Sequence, residues 1–519
     1  MPHPLSSVFT LACVLVASVC VFLWQRSIIQ RRARQRGRPL PPGPKRWPII
    51  GNMLDIPTWK PWYGLRDLCE KYGEIVYLEL LGETMVVLGS PGVIHDLLDK
   101  RASNTSNRVE TPLISLAGHD FDFAMMQYGP RWRRHRRMLW QQFHPGKVDK
   151  YKPIQRDFTW KLLAGLLENP GKIKQLLQYQ IIGTMMKITY GIDLEDEDDA
   201  RIGYVDSTFS GLRKVTVSMQ FLLRHFPLIQ YLPAWFPGAG FHKLFAESNP
   251  PCAWMLDVPF SQAKADVDEP SIVAELLGGI QTSLSGSKDD SESEEQVARN
   301  VAAIIVEAGS DTAVSTLEGL ILALSLFPEV QQKAWAELDA VVGDHRLPDF
   351  DDRDALVYIN AVVKEALRWH NVSPTNIAHV TVEDDEVNGY FIPAGTTVVP
   401  NVWACMHDPH IYPKPEKFYP ERFIGEDGRL NPDVLDPATL IFGSGRRICP
   451  GRYFVDAALF LTAASVLQVF DIGPPKDENG CRIKVEYQAS HGFLSYPEDT
   501  RCTITPRSAE AVALILGSQ

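Results

Sequence analysis

The stretch FGSGRRICPG, residues 442–451, places one cysteine, three glycines and two arginines within ten positions. Glycine lets a backbone turn tightly or lie close to a flat ligand. Arg446 and Arg447 favour the thiolate form of Cys449, and a thiolate is a strong ligand for iron. Two other interpretations remain open from these residues alone. Cys449 is either an inert buried residue, or a nucleophile that needs a histidine base from elsewhere in the chain.

Three further stretches carry polar residues at short spacings. KEALR holds Glu365 and Arg368 three positions apart, so a helix places both on one face. PERF contains Arg422, and AGSDT, residues 308–312, lies midway along a long apolar run. Alone, a glutamate and an arginine at this spacing form a common surface pair, so that pair is weak evidence for any particular fold.

Together these stretches resemble the cytochrome P450 family, whose haem-binding loop reads F-x-x-G-x-R-x-C-x-G. The five fixed positions of that pattern are matched here by Phe442, Gly445, Arg447, Cys449 and Gly451. The resemblance covers nearly the whole chain, and it implies the P450 fold and a haem b whose iron is ligated by Cys449. It also implies that Glu365, Arg368 and Arg422 form a buried charge network behind the haem-binding loop.

The segment AGSDT resembles the oxygen-activation motif of the same family. By that resemblance, Thr312 hydrogen-bonds bound oxygen or a nearby water, and Asp311 connects that water to solvent. Ala308 and Gly309 are expected to thin the helix where oxygen and substrate fit. The alternative is an ordinary helical pair in which the threonine bonds back to a backbone carbonyl. Many relatives carry a hydroxyl residue where this chain has Ala313.

Haem also carries two propionates, which need cationic partners. RWRRHRR, residues 131–137, contains the family's W-x-x-x-R pattern as Trp132 and Arg136. The resemblance implies that these two residues and Arg447 bind a propionate. His379 stands where relatives place an arginine or histidine for the same purpose, and its alternative is an ordinary strand histidine. The other arginines of residues 131–137 form either a solvated face or a docking surface for an acidic electron donor.

The N-terminal segment differs from the rest of the chain. Residues 5–24 carry no charge and are long enough to cross a bilayer as a helix, and six arginines follow within residues 25–44. No Lys or Arg precedes the apolar run, so the positive-inside rule places residues 1–4 in the lumen and the rest in the cytosol. A cleaved signal peptide, which has the reverse charge order, is the alternative. The expected organisation is a transmembrane anchor, a basic and proline-rich hinge over residues 25–44 that spaces the domain from the membrane, and a catalytic domain over residues 45–519.

Composition limits the class of protein. The chain has 519 residues, a net charge of −11 and 45% hydrophobic residues, which indicates a large globular core and disfavours a nucleic-acid-binding protein. Its eight cysteines form no C-x-x-C pair, which argues against a zinc site of that type and against a disulfide framework.

The apolar patterns predict a mainly α fold with a small β part. Residues 74–89 alternate like strands, helical patterns dominate residues 90–367, and short strands return in residues 379–397 before a long irregular stretch over residues 401–440.

One long central helix is expected over residues 297–327, with a capping box of Ser291 and Glu294 before it. Its length also suits a second membrane span. Glu307, Asp311 and Glu318 within it argue against a span and favour a buried core helix.

By resemblance, the pocket is lined by residues 121–126, Ile304, Ala308, residues 372–377 and residues 492–494. These residues are mostly apolar, with Asp122 as the exception, so the predicted substrate is a lipophilic small molecule. Residues 225–241 are apolar and aromatic, and they are expected either to dip into the bilayer or to form a buried core loop.

No nicotinamide-binding pattern is present: residues 238–243 begin like G-x-G-x-x-G but follow a proline and end in lysine. With the resemblance and the anchor, this predicts electrons from NADPH through the microsomal NADPH–cytochrome P450 reductase, with cytochrome b5 as a further donor. The expected location is the endoplasmic reticulum membrane, crossed once, with the catalytic domain in the cytosol.

The sequence therefore predicts a membrane-anchored haem-thiolate monooxygenase of fungal type. It would insert one oxygen atom from O2 by hydroxylation or epoxidation, in secondary-metabolite biosynthesis such as terpenoid or polyketide tailoring. One alternative is a haem-thiolate isomerase or dehydratase that works without a reductase and needs no acid–alcohol pair. The other is a non-catalytic haem- or lipid-binding protein, which would show no substrate-dependent use of NADPH.

Overall fold

The computed structural model describes residues 33–237, 239–282 and 292–517. Helices dominate this part of the chain, as the sequence predicts, and twelve of them have nine or more residues. They are α1 Pro61–Tyr72, α2 Pro130–Phe143, α3 Lys152–Glu168, α4 Ile173–Tyr190, α5 Ala200–His225, α6 Phe241–Ala265, α7 Ile272–Thr282, α8 Glu294–Leu326, α9 Pro328–Val341, α10 Val357–Trp369, α11 Arg452–Val469 and α12 Ala509–Gly517.

The long central helix, α8, begins and ends where its sequence dictates. The Ser293 side chain accepts a hydrogen bond from the Gln296 N–H, and the Gln296 side chain accepts one from the Ser293 N–H. The expected capping box of Ser291 and Glu294 is wrong, because Glu294 is the first helical residue and its carboxylate suits the positive end of the helix dipole; Ser291 lies outside the described residues. Pro328, which lacks an N–H, follows the helix and prevents its continuation.

Helix α8 is a core helix. Its N-terminal half packs in one large hydrophobic cluster with α2, α4, α6 and α7, and its C-terminal half packs in another with α3, α10 and α11. Glu307 and Glu318 are 1% and 3% exposed, which confirms burial inside the protein. Within the described residues, α11 taken singly and the bent pair of α8 and α9 have the length and hydropathy of a membrane span, and 72% of α11 is buried in the core.

The strands form one five-stranded sheet and two small two-stranded sheets among the described residues. They are β1 Ile75–Leu80, β2 Glu83–Leu88, β3 Asn107–Arg108, β4 His379–Val380, β5 Asp385–Val387, β6 Tyr390–Ile392, β7 Thr397–Pro400, β8 Phe470–Gly473 and β9 Thr503–Pro506. The large sheet has the order β1-β2-β7-β4-β3, with β2 and β7 parallel. The pairing of β3 with β4 sets Arg108 opposite His379 and brings both side chains to the site described below.

Short helices connect these elements. They are Pro91–Ile94, Ala102–Thr105, Leu113–Leu116, Val402–Met406 and Ala438–Ile441, with a π-helix over His95–Asp99. Apart from a 3-10 helix over Pro420–Phe423, the rest of residues 401–440 is irregular, as expected.

Residues 39–44, expected to belong to a free spacer, lie against the sheet instead. The Pro42 carbonyl accepts a hydrogen bond from the Tyr77 N–H at 2.8 Å, and the Pro39 carbonyl accepts one from the Phe391 N–H at 2.8 Å. A Cβ at Gly43 would lie 2.1 Å from the Tyr77 carbonyl oxygen, so the glycine permits this close approach. The proline segment is therefore attached to the domain. The expected anchor, residues 5–24, lies outside the described residues.

Candidate active site

Cys449 lies in a tight loop directly before α11. Its N–H donates to the Phe442 carbonyl at 2.7 Å, which closes the loop. Gly443 and Gly445 have φ values of 76° and 57°, in the left-handed region that favours glycine. A Cβ at Gly445 would also lie 2.2 Å from the Leu98 carbonyl oxygen. This glycine therefore lets the loop pack directly on the π-helix.

One large cavity joins Cys449 to the central helix. Cys449 and Thr312 both line it, and each expected pocket segment contributes residues to its wall. Examples from those segments are Met125, Ile304, Val372, Ile377 and Phe493. The expected lining is confirmed, and it is mainly apolar.

Burial dominates the electrostatics of the Cys449 sulfur. It raises the pKa of the thiol, while the Gly451 N–H and the guanidinium groups of Arg136 and Arg452 lower it. The expectation that Arg446 and Arg447 supply the nearby positive charge is wrong, because these two side chains make their contacts elsewhere.

Arg446 is exposed and donates to the Tyr128 hydroxyl at 3.0 Å. Arg447 is buried and lies over the Trp132 ring, with its guanidinium carbon 4.6 Å from the ring centre. Its N–H groups donate to the backbone carbonyls of Ser106, Phe123 and Met126. Arg447 therefore lines the cavity at the Trp132 side.

Trp132 and Arg136 bring hydrogen-bond donors to the cavity wall. The Trp132 indole N–H is buried and has no hydrogen-bond partner among the described residues. Arg136 lines the same cavity, and burial lowers the pKa of its guanidinium to about 10. Buried donors normally have partners, so this pair fits an anionic group in the cavity.

His379 reaches the cavity from β4. Its Nδ1 lies 2.7 Å from the Thr105 carbonyl oxygen, which can only accept, so Nδ1 carries the proton of the neutral ring. Burial, Arg108 and Arg447 hold the pKa of His379 well below its usual range. The neutral ring therefore has an acceptor at Nε2, and only a protonated His379 could donate from Nε2 to an anion.

Sequence reasoning missed Arg108. This residue is 5% exposed, lines the cavity, and donates to the carbonyls of Ala124, Ile377 and Ala378 at 2.8–3.0 Å. Burial and the nearby Arg447 hold the pKa of its guanidinium well below the usual range. Only the pairing of β3 with β4 brings it to the site, so a pattern read along the chain carries no signal for it.

Asp311 and Thr312 are neighbours on α8 with different surroundings. The Thr312 hydroxyl donates to the Ala308 carbonyl at 2.9 Å, the back-bonding geometry of the alternative interpretation. Because Thr312 also lines the cavity, the lone pairs of its oxygen remain available to accept a hydrogen bond there. The Asp311 carboxylate accepts a hydrogen bond from the Tyr496 hydroxyl. Burial raises the pKa of Asp311 to about 6, although the Tyr496 bond lowers it.

Gly309 has a packing role that the sequence did not indicate. A Cβ at this position would lie 2.9 Å from the Met185 Cε of α4. The glycine therefore makes room for Met185, and it also lines the cavity where the sequence predicts a thinner helix for oxygen and substrate.

Three charged residues behind the Cys449 loop come together as expected. Arg368 donates from Nε and Nη2 to both carboxylate oxygens of Glu365, each at 2.9 Å. Arg422 donates from Nε to the same two oxygens at 3.1–3.2 Å. Glu365 and Arg368 are fully buried, and the two guanidinium groups share the one Glu365 carboxylate inside the protein.

Comparisons with known proteins agree with this geometry. Residues 41–498 match the family model described as "Cytochrome P450". The chain is 36% identical to "Cytochrome P450 monooxygenase COX1" of Coprinopsis cinerea over 96% of this chain and 98% of that protein. It is 35% identical to "Tryptamine 4-monooxygenase" of Psilocybe cyanescens, over 97% and 99% of the two chains. It is also 35% identical to "Cytochrome P450 monooxygenase claR" of Ampulloclitocybe clavipes, over 98% and 93%. The chain therefore belongs to the cytochrome P450 monooxygenases, which hold haem b through a cysteine ligand to iron and receive electrons from a redox partner.

Proposed function

We propose that this protein is a membrane-anchored haem-thiolate monooxygenase that inserts one oxygen atom from O2 into a lipophilic small molecule by hydroxylation or epoxidation. The observation that carries the proposal is that Cys449 and Thr312 line one apolar cavity. Cysteinate-ligated haem supplies the activation of O2. The chain's own residues hold the haem, move protons and exclude water.

The polar groups around the cavity would suit the iron and the propionates of a haem. Cys449 would ligate the iron. The Trp132 N–H, which has no partner among the described residues, and the Arg136 guanidinium would meet a propionate. Arg447 and Arg108 lie at the same wall, and a propionate beside His379 would raise its pKa and allow a hydrogen bond from Nε2.

Asp311 and Thr312 would handle the protons. Thr312 would accept a hydrogen bond on the cavity side, and Asp311, with a pKa of about 6, would exchange protons near neutral pH. This acid–alcohol pair favours the monooxygenase over an isomerase or dehydratase, for which such a pair has no role.

The electron donor would dock where cations surround the Cys449 loop. Arg133 and Arg446 both lie over the Tyr128 ring, at 5.6 and 5.1 Å, so two distant segments place their charges side by side. Arg131 and Arg134 are less available to a partner, because Arg131 forms an ion pair with Glu292, just before α8, and Arg134 forms one with Glu294, its first residue. An acidic face of NADPH–cytochrome P450 reductase or of cytochrome b5 would suit this surface.

The membrane contact would have two parts. Residues 5–24 would cross the endoplasmic reticulum membrane once, and the loop over residues 225–241 would touch its cytosolic surface. Leu228, Tyr231 and Trp235 are 76–80% exposed, which supports a membrane contact over a buried core loop, whereas Ala239 and Phe241 at the end of the segment are buried. Aromatic residues of this kind favour the bilayer interface.

The apolar cavity suits a substrate that partitions into lipid, and we place the protein in secondary-metabolite biosynthesis, such as terpenoid or polyketide tailoring.

The difference spectrum of the reduced protein with and without carbon monoxide tests the proposal. Wild type should show the strongly red-shifted Soret band of a cysteinate-ligated haem, and Cys449→Ser should lose it. Cys405→Ala is the matched control, because Cys405 is buried outside the cavity. A Cys449→Ser protein with the wild-type band would remove Cys449 from the iron. Haem binding without NADPH use in the presence of reductase and candidate substrates would favour the isomerase or binding-protein alternatives.

A further inference from the structure

Asp122 is the one acidic side chain that lines the cavity in the described part of the chain. It is 5% exposed, and its Oδ1 accepts a hydrogen bond from the Ala124 N–H at 2.8 Å. Among the described residues, no basic nitrogen lies within 4.0 Å of its carboxylate oxygens, so Asp122 forms no ion pair there. An acid in an apolar cavity without an ion-pair partner is unusual, because buried charges are normally paired.

The cations nearest to Asp122 are engaged elsewhere. Arg108 and Arg447 direct their N–H groups to backbone carbonyls. The other buried acid nearby, Glu307, does not line the cavity, and it lies in ion-pair range of His119, whose Nδ1 is 3.2 Å from Glu307 Oε1. Asp122 is therefore the acid at this wall that is left for a ligand.

The surroundings of Asp122 favour a positively charged ligand. Burial and the neighbouring Glu307 raise the pKa of Asp122 to about 7, whereas the Ala124 N–H, His119 and Arg108 lower it. A cation inside the cavity would add the missing stabilisation of the ionised carboxylate. A neutral apolar ligand would leave the carboxyl group in contact with hydrocarbon.

We propose that Asp122 binds a positively charged amine nitrogen of the substrate, so that the substrate is a lipophilic amine whose apolar body fills the rest of the cavity. This narrows the lipophilic class given above to molecules with a basic nitrogen, and it rests on the proposed function. Asp122 is a specificity-determining residue in this scheme, separate from the residues that would hold haem or move protons.

Two probes that differ in one atom test the charge. Benzyltrimethylammonium has a permanent positive charge and no lone pair to ligate iron, and neopentylbenzene is its neutral isostere, with carbon in place of nitrogen. Binding of each to the ferric, haem-loaded full-length protein is measured by calorimetry. Asp122→Asn keeps the Oδ1 acceptor for the Ala124 N–H and removes the charge. We expect this variant to bind the cation at least tenfold more weakly and the neutral probe within twofold of wild type.

The matched control is Asp120→Asn, an equal change of charge two residues away, at an exposed side chain that does not line the cavity. It should leave both affinities unchanged. Equal losses for both probes in Asp122→Asn would show that Asp122 only caps its turn, and an unchanged cation affinity would likewise overturn the proposal. Equal losses of cation affinity in both variants would indicate general electrostatics and contradict it as well.

The wild-type protein gives a second test that needs no variant. Benzyltrimethylammonium does not titrate, so its affinity should fall as the pH drops below about 7 and Asp122 becomes protonated. The neutral probe should bind equally at pH 6 and 8. A cation affinity that is flat over this range contradicts the proposal. The carbon monoxide spectrum of the same samples reports the haem–cysteine bond separately, so failure of the amine site and failure of the monooxygenase assignment can be told apart.

Discussion

The Tyr496 hydroxyl donates a hydrogen bond to the Asp311 carboxylate, which ties the C-terminal turn to the centre of α8. The same turn supplies Phe493 and Leu494 to the cavity wall. The Arg213 guanidinium carbon lies 4.9 Å from the centre of the Tyr496 ring, so α5 reaches the same point. The acid proposed for proton handling is therefore held by a segment that also contacts the substrate space.

Replacing Tyr496 by phenylalanine should raise the pKa of Asp311 above its value of about 6, because the variant loses a hydrogen bond that stabilises the carboxylate. Between the two pKa values, more Asp311 would then be protonated than in wild type. Infrared absorption of protonated carboxyl groups, followed against pH and referenced to Asp311→Asn, measures this directly. Tyr487→Phe, which removes a hydroxyl bonded to His370 and not to Asp311, is the control. An Asp311 titration that is unchanged in Tyr496→Phe would show that the hydrogen bond does not control the acid.

Thr312→Ala should raise the release of peroxide per NADPH consumed, because the variant removes the hydroxyl that faces the cavity beside Asp311. Thr312→Ser keeps a hydroxyl at the same position and should stay close to wild type. Peroxide and NADPH are measured together in the presence of reductase. If the alanine and serine variants release equal amounts of peroxide, the Thr312 hydroxyl takes no part in proton delivery and only bonds to the Ala308 carbonyl.

Glu318 should make the free energy of unfolding depend on pH. Burial raises its pKa from 4.5 to about 7, and Lys174 lies 3.9 Å away. The folded protein binds the proton of Glu318 more tightly than the unfolded chain does. Protonated Glu318 therefore adds to the free energy of unfolding, fully below about pH 4.5, and this contribution is lost as the pH rises through about 7. Glu318→Gln removes this loss and should be more stable at pH 8, by up to about 3 kcal/mol.

Urea unfolding at pH 5 and pH 8 measures the difference. Glu168→Gln, at an exposed glutamate with the same change of charge, should change the stability by less than about 0.5 kcal/mol at either pH. If the difference in stability between Glu318→Gln and wild type is the same at pH 5 and pH 8, the folded protein keeps Glu318 ionised at both.

The motif residues could be predicted from the sequence because each pattern lies within one short segment. The Cys449 loop, the E-x-x-R helix and the AGSDT turn of α8 stand where those patterns indicated. The contacts of Arg446 and Arg447 could not be predicted in this way, because adjacency in the chain does not give the direction of a side chain. Arg108 reaches the site through the pairing of β3 with β4, and Tyr496 reaches it from a C-terminal turn. No local sequence pattern predicts either contact.

Glu365→Ala should destabilise the folded protein by about 3–5 kcal/mol, because it leaves Arg368 and Arg422 buried without their counter-charge. Thermal unfolding of the haem-loaded protein measures this loss. Asp339→Ala removes an ion pair between Asp339 and Arg507, and the Asp339 side chain is 57% exposed. This variant should lower the free energy of unfolding by at most about 1 kcal/mol. Similar losses in the two variants would contradict a structural role for the buried network.

The exposed loop over residues 225–241 should keep the protein on membranes after its anchor is removed. Arg224 and His225 contact Glu83 at the β1–β2 turn, and Gly51 pairs with Leu80 of the same hairpin. The loop over residues 225–241 and the segment around Gly51 therefore both lie beside the β1–β2 turn. The segment around Gly51 includes Ile49 and Leu54, which are 80% and 73% exposed. A surface of this kind can lie in the bilayer interface.

The truncation should remove residues 1–32 and no more, because Arg34 and Arg38 form ion pairs with Asp384 and Glu386 of the domain. We expect this protein to float with lipid vesicles, and Leu228→Ser combined with Trp235→Ser to release most of it, since each loses a large exposed apolar side chain. Val382→Ser, at a residue 56% exposed outside both segments, should remain bound. If the truncated protein is already free in solution, residues 1–32 alone hold the protein on the membrane. If it stays bound in all variants, the contact lies on another face.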